Sequence, residues 1–329
     1  MQKIKYIYVG WNPETPLILS KDKNFELVAV SLIESFFTKT INPVNFIFKA
    51  VYSLRRMEKL RWLEVLSSLK WKLFKSLSSS IFFVYKDYLA LISEKKVNIL
   101  DFADNQRIEK YIRDNDVDLI VVNTWDLLSK NIVELPKFGT INIHPSKLPK
   151  YRGALPTLWA LKNGDKETAV TYILLDDSID GGKIISQHIF PISSSDDAIS
   201  LESKIKEIIE KTLAQDISGY LDGKIIPQKQ TGEATFTAKY EDYKKIDWQN
   251  ENGRDIYNKI KLYPYLGHAE YCYIMLNDKK VLIKNAEFIP NAKIFENATA
   301  GQFRKSFPSI LFQAKDGIIK TIPLELNCH

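Results

Sequence analysis

Between Lys5 and Leu175, short apolar runs rich in β-branched and aromatic residues alternate with helical stretches, and this alternation limits the fold more than any other feature of the chain. The runs are Lys5–Gly10 (KYIYVG), Phe25–Leu32 (FELVAVSL), Asn98–Phe102, Val117–Asn123 (VDLIVVN), Gly139–His144 (GTINIH) and Ala169–Leu175 (AVTYILL). A helix is expected between the first two runs, another over Arg107–Asn115, and a helical turn over Asn131–Pro136. Near-continuous apolar strands separated by helices are the pattern of an α/β domain with a parallel sheet covered on both faces. Ligands of such sheets sit outside the carboxyl ends of the strands. Asn123, His144 and the acids after Leu175 all follow a strand, so they are expected to converge on that edge.

Beyond the alternation, Ala198–Leu213 (AISLESKIKEIIEKTL) is amphipathic, with Leu201, Ile205, Ile208, Ile209 and Leu213 on one face. Ser194, Ser195 and Asp196 before it offer N-cap oxygens. Residues 216–245 read as a linker containing Gly219, Gly223, Pro227 and Gly232. Short strands then follow at Cys272–Met275, Lys280–Ile283, Ile310–Gln313 and Ile318–Ile322. The expected organisation is therefore an α/β domain over 1–215, a linker over 216–245, and a small β-rich domain over 246–329. Residues 41–96 interrupt the first domain. Val51–Leu77 has helical periodicity with basic residues between the apolar ones and neither Gly nor Pro, and Ile81–Ser93 is a second helical run.

The 46 basic and 40 acidic residues give a formal charge of +6, which invites a nucleic-acid or anionic-membrane reading. The surplus is local. Residues 41–96 hold eleven Lys/Arg and four acids, leaving 35 basic and 36 acidic residues elsewhere. The two cysteines, Cys272 and Cys328, make no disulfide framework, and no Cys/His spacing suggests a metal, so a reducing compartment is expected. The N-terminal MQKIKYIYVGW lacks the apolar core of a signal peptide, and no run approaches the ~18 apolar residues of a membrane span. A cytoplasmic location is the expectation.

The chemistry concentrates in Asn142-Ile143-His144-Pro145-Ser146-Lys147-Leu148-Pro149-Lys150-Tyr151-Arg152-Gly153. Strand residues two apart share a face, so Asn142 and His144 present an amide beside an imidazole. Pro145 cannot continue the ladder and leaves His144 at the strand end. Downstream comes the acidic turn Asp176-Asp177-Ser178-Ile179-Asp180-Gly181-Gly182. A carboxylate brought to His144 would orient the ring, and the Asn142 amide can donate to an oxyanion. That trio suits acyl transfer to an amine with His144 as general base, and no Ser or Cys nucleophile is needed. The same spacing also fits a strand-end Asn and His satisfied by local backbone, followed by an ordinary acidic turn.

NIHPSKLPKYRGALP followed by DGGKI resembles the folate-dependent formyltransferase superfamily, with its Asn-x-His pair, its S-L-L-P-x-x-[RK]-G loop and its downstream D-x-G. The resemblance covers Asp118–Leu213 strongly and the first two strands weakly; Lys147 stands where the family usually has Leu. It implies a Rossmann-like α/β fold, 10-formyltetrahydrofolate as donor without a metal, and Asn142, His144 and Asp180 as catalytic residues. It places the pterin between the loop after Asn123, where Trp125 and Leu127 would supply apolar cover, and the acidic loop with Asp176, Asp177 and Gly181. Ordinary packing is the alternative for Trp125. Ser146, Tyr151, Arg152 and Gly153 would face the acceptor, with Arg152 either pairing with a phosphate or carboxylate or simply solvated.

Ile246-Asp247-Trp248, Ile256–Leu262, Tyr263-Pro264-Tyr265-Leu266-Gly267 and Lys280–Phe288 are similar to the second domain of two branches, the methionyl-tRNA and the nucleotide-sugar N-formyltransferases. Tyr265 is thereby a candidate acceptor contact, whereas Trp248 reads better as a packing residue. Glycinamide ribonucleotide formyltransferases have a glycine-rich N-terminal phosphate loop, but Lys5–Pro16 contains a single glycine. The insertion falls where tRNA formyltransferases carry a shorter, Gly-rich, polar loop. Its basic charge interleaved with Trp62, Trp71, Phe74 and Tyr85 fits a tRNA contact, peripheral membrane attachment, or a hairpin packed on its own domain or across a homodimer. Because the rest of the chain is nearly neutral, a nucleotide-linked amino sugar of surface-polysaccharide synthesis is the favoured acceptor over tRNA. A 10-formyltetrahydrofolate hydrolase would share the trio, but that family normally carries an N-terminal regulatory domain of which this sequence shows no sign.

Overall fold

The computed structural model describes residues 3–10, 12–31, 87–88, 90–100, 104–124, 128–237, 246–261, 272–276, 279–283, 286–306 and 309–321. Most of the expected insertion, together with Trp125, Leu127, Tyr265 and Cys328, lies outside them.

Strands β1 (Ile4–Gly10), β2 (Phe25–Ser31), β3 (Asn98–Ile99), β4 (Leu119–Asn123), β5 (Thr140–His144), β6 (Glu167–Leu174) and β7 (Ile184–Pro191) form one sheet in the order β3-β2-β1-β4-β5-β6-β7. The helix expected after β1 is α1 (Glu14–Ser20). Pairing is parallel from β3 through β5. On one face Ile7, Val9, Ala29, Ile120 and Val122 pack with Ile108 and Ile112 of α2 (Asn105–Asp114) and Ile132 of α3 (Lys130–Val133). The alternate residues Tyr6, Tyr8, Leu119 and Val121 are buried as well. Side chains buried on both faces explain why these strands read as unbroken apolar runs. Each buried Val, Leu or Ile among them stabilises the fold by ~1.5–3 kcal/mol relative to exposure.

β6 departs from the parallel expectation. It runs antiparallel to β5, with Ile141 opposite Leu174 and His144 opposite Thr171. The connection between the two strands carries one short helix, α4 (Pro156–Lys162), about 10 Å long. The end of β6 therefore lies beside Thr140, not beside His144, as the bond from Leu175 N to Thr140 O confirms. The acidic loop after Leu175 starts from the opposite edge to the one expected. β7, with Ser186, Gln187 and His188 inside it, carries no apolar alternation and is absent from the sequence reading.

The long helix α5 (Ala198–Leu221) extends eight residues beyond the amphipathic stretch. Within this helix, Gly219 leaves room for Ile225, which packs where a side chain would be. Its cap is Asp197 rather than the preceding residues: Asp197 Oδ1 accepts from Ser200 N at 2.8 Å, and Ser200 Oγ accepts from Asp197 N at 3.0 Å.

The chain divides into two compact units that are not contiguous in sequence. One comprises Met1–His144, Val170–His188 and Lys206–Glu233; the other comprises Pro145–Ala169, Ile189–Ile205 and Ala234–His329. The second contains α6 (Gly253–Lys261), the hairpin β8 (Cys272–Leu276) and β9 (Lys279–Ile283), and an antiparallel sheet. That sheet has the order β10-β13-β12-β11, from β10 (Ala286–Pro290), β11 (Phe303–Ser306), β12 (Ser309–Ala314) and β13 (Gly317–Thr321). The Trp248 ring stacks on Phe312 at 5.3 Å, the packing role expected of it. Among the described residues no helix is long and apolar enough to cross a membrane.

Candidate active site

β5 ends at His144 because Pro145 has no N–H to offer the ladder, and its five residues are all buried. Asn142 and His144, on one face, are 5% and 3% exposed. The carboxylate of Asp180 lies against both. Its Oδ1 accepts from Asn142 Nδ2 at 3.1 Å, and its Oδ2 stands 3.5 Å from His144 Nδ1. The second distance is ion-pair reach rather than a tight hydrogen bond.

A carboxylate can only accept, so it fixes the Asn142 amide with its nitrogen toward Asp180. Asn142 Oδ1 is then buried, with no hydrogen-bond partner among the described residues. An unmatched buried acceptor costs ~1–3 kcal/mol, which a donor supplied to it would recover. The same logic sets His144: a proton on Nδ1 toward Asp180 makes Nε2 the basic nitrogen. Together these three side chains supply a base, an oriented amide with one further N–H, and an acceptor.

Asp180 reaches this position although its loop starts from the far edge of β6. The loop is tied to the hairpin by the bond from Leu174 N to Lys183 O at 2.9 Å. Asp180 itself adopts φ +45°, a left-handed conformation uncommon for a residue with a side chain. At Gly182 a Cβ would overlap the Leu174 carbonyl, so only glycine fits. From outside the loop, Gln230 Nε2 donates to the carbonyls of both Asp180 and Gly182, at 2.7 and 2.9 Å. Sequence reasoning missed Gln230. No spacing signal connects it to a loop some fifty residues earlier, and it sits in a stretch read only as linker.

The other donor-side candidates are distributed unevenly. Asn123 ends β4 opposite Gly10, where the backbones approach so closely that a Cβ on Gly10 would meet Asn123 O at 2.6 Å. Gly181 follows Asp180 and is half-buried. Asp176 is exposed and closes its own turn, Oδ1 accepting from Ser178 N at 2.9 Å and from Ser178 Oγ. Asp177 is exposed and pairs with Lys130 at 3.5 Å, a cation whose pKa is raised by Glu134 and then by Asp177. Neither of these two acids joins the trio.

The acceptor-side candidates belong to the second unit. Ser146 is fully buried and its hydroxyl donates to Lys150 O at 2.7 Å. The Tyr151 hydroxyl donates to Asp165 Oδ2 at 2.9 Å and accepts from Asn163 Nδ2 at 2.9 Å. Burial, with Asp165 alongside, pushes it up to about 12, so it stays a donor at neutral pH. Arg152 pairs through its backbone with Thr235 and Thr237, its guanidinium 5.9 Å from the exposed Phe236 ring. Gly153 holds φ +105°, where a Cβ would collide with Thr237 Oγ1. Lys147, the family departure, forms a surface ion pair with Glu167 at 2.5 Å. Among the described residues no group of His, Cys, Asp and Glu could hold a metal ion.

A family model described as "Formyl transferase" matches residues 88–217, which include the whole of β4 to β7 and the trio. The chain is 34% identical over 224 residues to a methionyl-tRNA formyltransferase of Thermodesulfovibrio yellowstonii, covering 68% of this chain and 70% of that one. Its fold is similar to the crystal structure of WlaRD, a sugar 3N-formyl transferase in the presence of dTDP and 5-N-formyl-THF, with a TM-score of 0.63, 20% identity and 99% of both chains covered. It is also similar to an N-formyltransferase from Helicobacter canadensis in complex with folinic acid and dTDP-3-aminofucose. There the TM-score is 0.62 with 19% identity, over 98% of this chain and 99% of that one. On these matches the chain belongs to the folate-dependent formyltransferase superfamily and is an enzyme that transfers formyl groups.

Proposed function

We propose that this enzyme moves a formyl group from 10-formyltetrahydrofolate to the primary amine of a nucleotide-linked amino sugar. The observation that carries the chemistry is the single Asp180 carboxylate shared between Asn142 and His144. In this reading His144 Nε2 takes the proton from the attacking amine and returns it to N10 of the folate as the formyl–N10 bond breaks, releasing tetrahydrofolate, while Asp180 holds the ring in place. The second N–H of Asn142 donates to the formyl oxygen as charge builds there, and Asn142 Oδ1 accepts from the amine and aims it. The donor supplies an activated formyl group, so the protein needs no nucleophile of its own. Asn123 and Gly181 are the described residues assigned to the donor side, and Arg152 is the cation assigned to an acceptor phosphate.

Two facts support a sugar acceptor. The chain has 35 basic against 36 acidic residues outside 41–96, which gives little general attraction for a polyanion. The likeness to WlaRD runs the length of both chains. The identity with the T. yellowstonii protein and the basic 41–96 segment favour a second reading, with methionyl-tRNA as acceptor. Purified enzyme with 10-formyltetrahydrofolate, offered dTDP-, UDP- and GDP-amino sugars alongside methionyl-tRNA, separates the two. Turnover of one amino sugar is expected; efficient formylation of the tRNA with the sugars ignored would overturn the first reading.

A further inference from the structure

We propose that Gln230 is a positioning residue for catalysis, acting through the backbone of Asp180; the proposal rests on the reading of Asp180 given above. Its carboxamide nitrogen has two hydrogens, and the structure uses both on one loop, in bonds of 2.7 Å to Asp180 O and 2.9 Å to Gly182 O. Those carbonyls flank the Asp180–Gly182 turn, whose first residue holds φ +45°. Such a conformation persists only where its surroundings over-determine it. Here the constraint comes from below and from the side. Gly182 is pressed against the Leu174 carbonyl, and Gln230 ties the carbonyls of Asp180 and Gly182 to one amide. With those carbonyls tied, the Asp180 side chain leaves the turn toward Asn142 and His144.

Gln230 is itself anchored. Two residues earlier, Gln228 and Ile184 exchange both backbone hydrogen bonds at 2.8 Å, which registers the segment against the first residue of β7. The amide therefore arrives at the loop on a strut fixed to the same hairpin that carries Asp180. Gln230 touches no reacting atom in this arrangement. Its role is to keep the carboxylate within reach of two partners, one of them already at 3.5 Å, where a further retreat would lose the contact.

The test uses Gln230→Met, which keeps length and removes both donors, and Gln230→Glu, which keeps shape and polarity but presents only acceptors. Both are assayed in the full-length enzyme with 10-formyltetrahydrofolate and the acceptor that turns over in the panel above, in the wild-type and Asp180→Asn backgrounds. In the wild-type background kcat is expected to fall roughly ten- to a hundredfold, the scale of a ~1 Å misplacement of a catalytic group, with KM for both substrates nearly unchanged. In the Asp180→Asn background the same substitutions are expected to change kcat by less than about twofold, because the group they position is gone. Wild-type kcat in Gln230→Glu overturns the proposal, and so does an equal loss in both backgrounds, which would mean general damage. If Gln230→Met does not fold, the Glu variant carries the comparison alone. A near-wild-type rate for Asp180→Asn itself overturns the reading of the trio and this proposal together, whereas a slow Asp180→Asn with unaffected Gln230 variants overturns this proposal only.

Discussion

Replacing Asp180 by Asn removes one negative charge with almost no change in volume, and the structure shows what else it removes. The carboxylate offers two acceptors, Oδ1 to the Asn142 amide at 3.1 Å and Oδ2 to His144 Nδ1 at 3.5 Å. An asparagine offers one acceptor and one NH₂. If its oxygen serves Asn142, its NH₂ faces His144 and drives the ring proton from Nδ1 to Nε2, which takes away the base. If its oxygen serves His144, two NH₂ groups confront each other and the Asn142 amide turns over. Losing a hydrogen bond to a charged group is worth ~1.5–3 kcal/mol, or on the order of 10–10²-fold in rate. A reversed imidazole tautomer extends the loss to about 10⁴-fold. Initial rates of tetrahydrofolate release should therefore show kcat lower by ~10²–10⁴-fold, with KM for the donor within about threefold of wild type. Circular dichroism and an unchanged melting temperature would show that the fold is intact. A rate within about fivefold of wild type, or a loss confined to KM, would refute the role given to Asp180.

Two further outcomes follow from the same geometry. Gly182→Ala forces a Cβ onto the Leu174 carbonyl, which cannot move without disturbing the β6–β7 hairpin, so the loop must shift and kcat is expected to fall by ~10²-fold; a wild-type rate would mean that the loop has room the structure does not show. Asp196 is buried, which alone would raise its pKa, but hydrogen bonds from Lys204, Ser193 and Ser200 outweigh this and hold its carboxyl below the usual range. Because its folded pKa is the lower one, its contribution is complete at neutral pH and drains as pH falls from the unfolded value of about 3.9 through the folded one. The melting-temperature gap between wild type and Asp196→Asn should accordingly be widest above about pH 5 and narrow as the pH falls below the unfolded value of about 3.9, and a gap independent of pH would contradict this.

The parts of the site that were legible in the sequence are those set by local periodicity. The two-residue repeat of β5 put Asn142 beside His144, and Pro145 fixed where the strand stops, because neither depends on anything outside six residues. Apolar runs exposed β1, β2 and β4 for the same reason, since strands buried on both faces have no polar side to conceal them. Strand direction left no such trace. Ala169–Leu175 has the same apolar content whichever way it runs, and its direction shows only in its pairing with β5. Ser146 and Tyr151 were placed at the acceptor by resemblance, but their hydroxyls meet Lys150 O, Asp165 and Asn163, partners visible only once the loop has folded. Gln230 is the extreme case. Its chemistry is unremarkable in sequence, and the role proposed for it rests on the two carbonyls it meets in the fold.

The interleaving of the two units bears on how such a chain can be cut or recombined. The polypeptide passes from one unit to the other five times, at 144–145, 169–170, 188–189, 205–206 and 233–234, and β6, β7 and α5 each straddle a crossing. A stop after Glu233 would consequently not release a self-sufficient N-terminal piece. It would leave Pro145–Ala169 and Ile189–Ile205 as orphaned excursions, deprived of the Ala234–His329 segment they pack with. One crossover near residue 233 likewise cannot exchange that unit as a cassette between relatives.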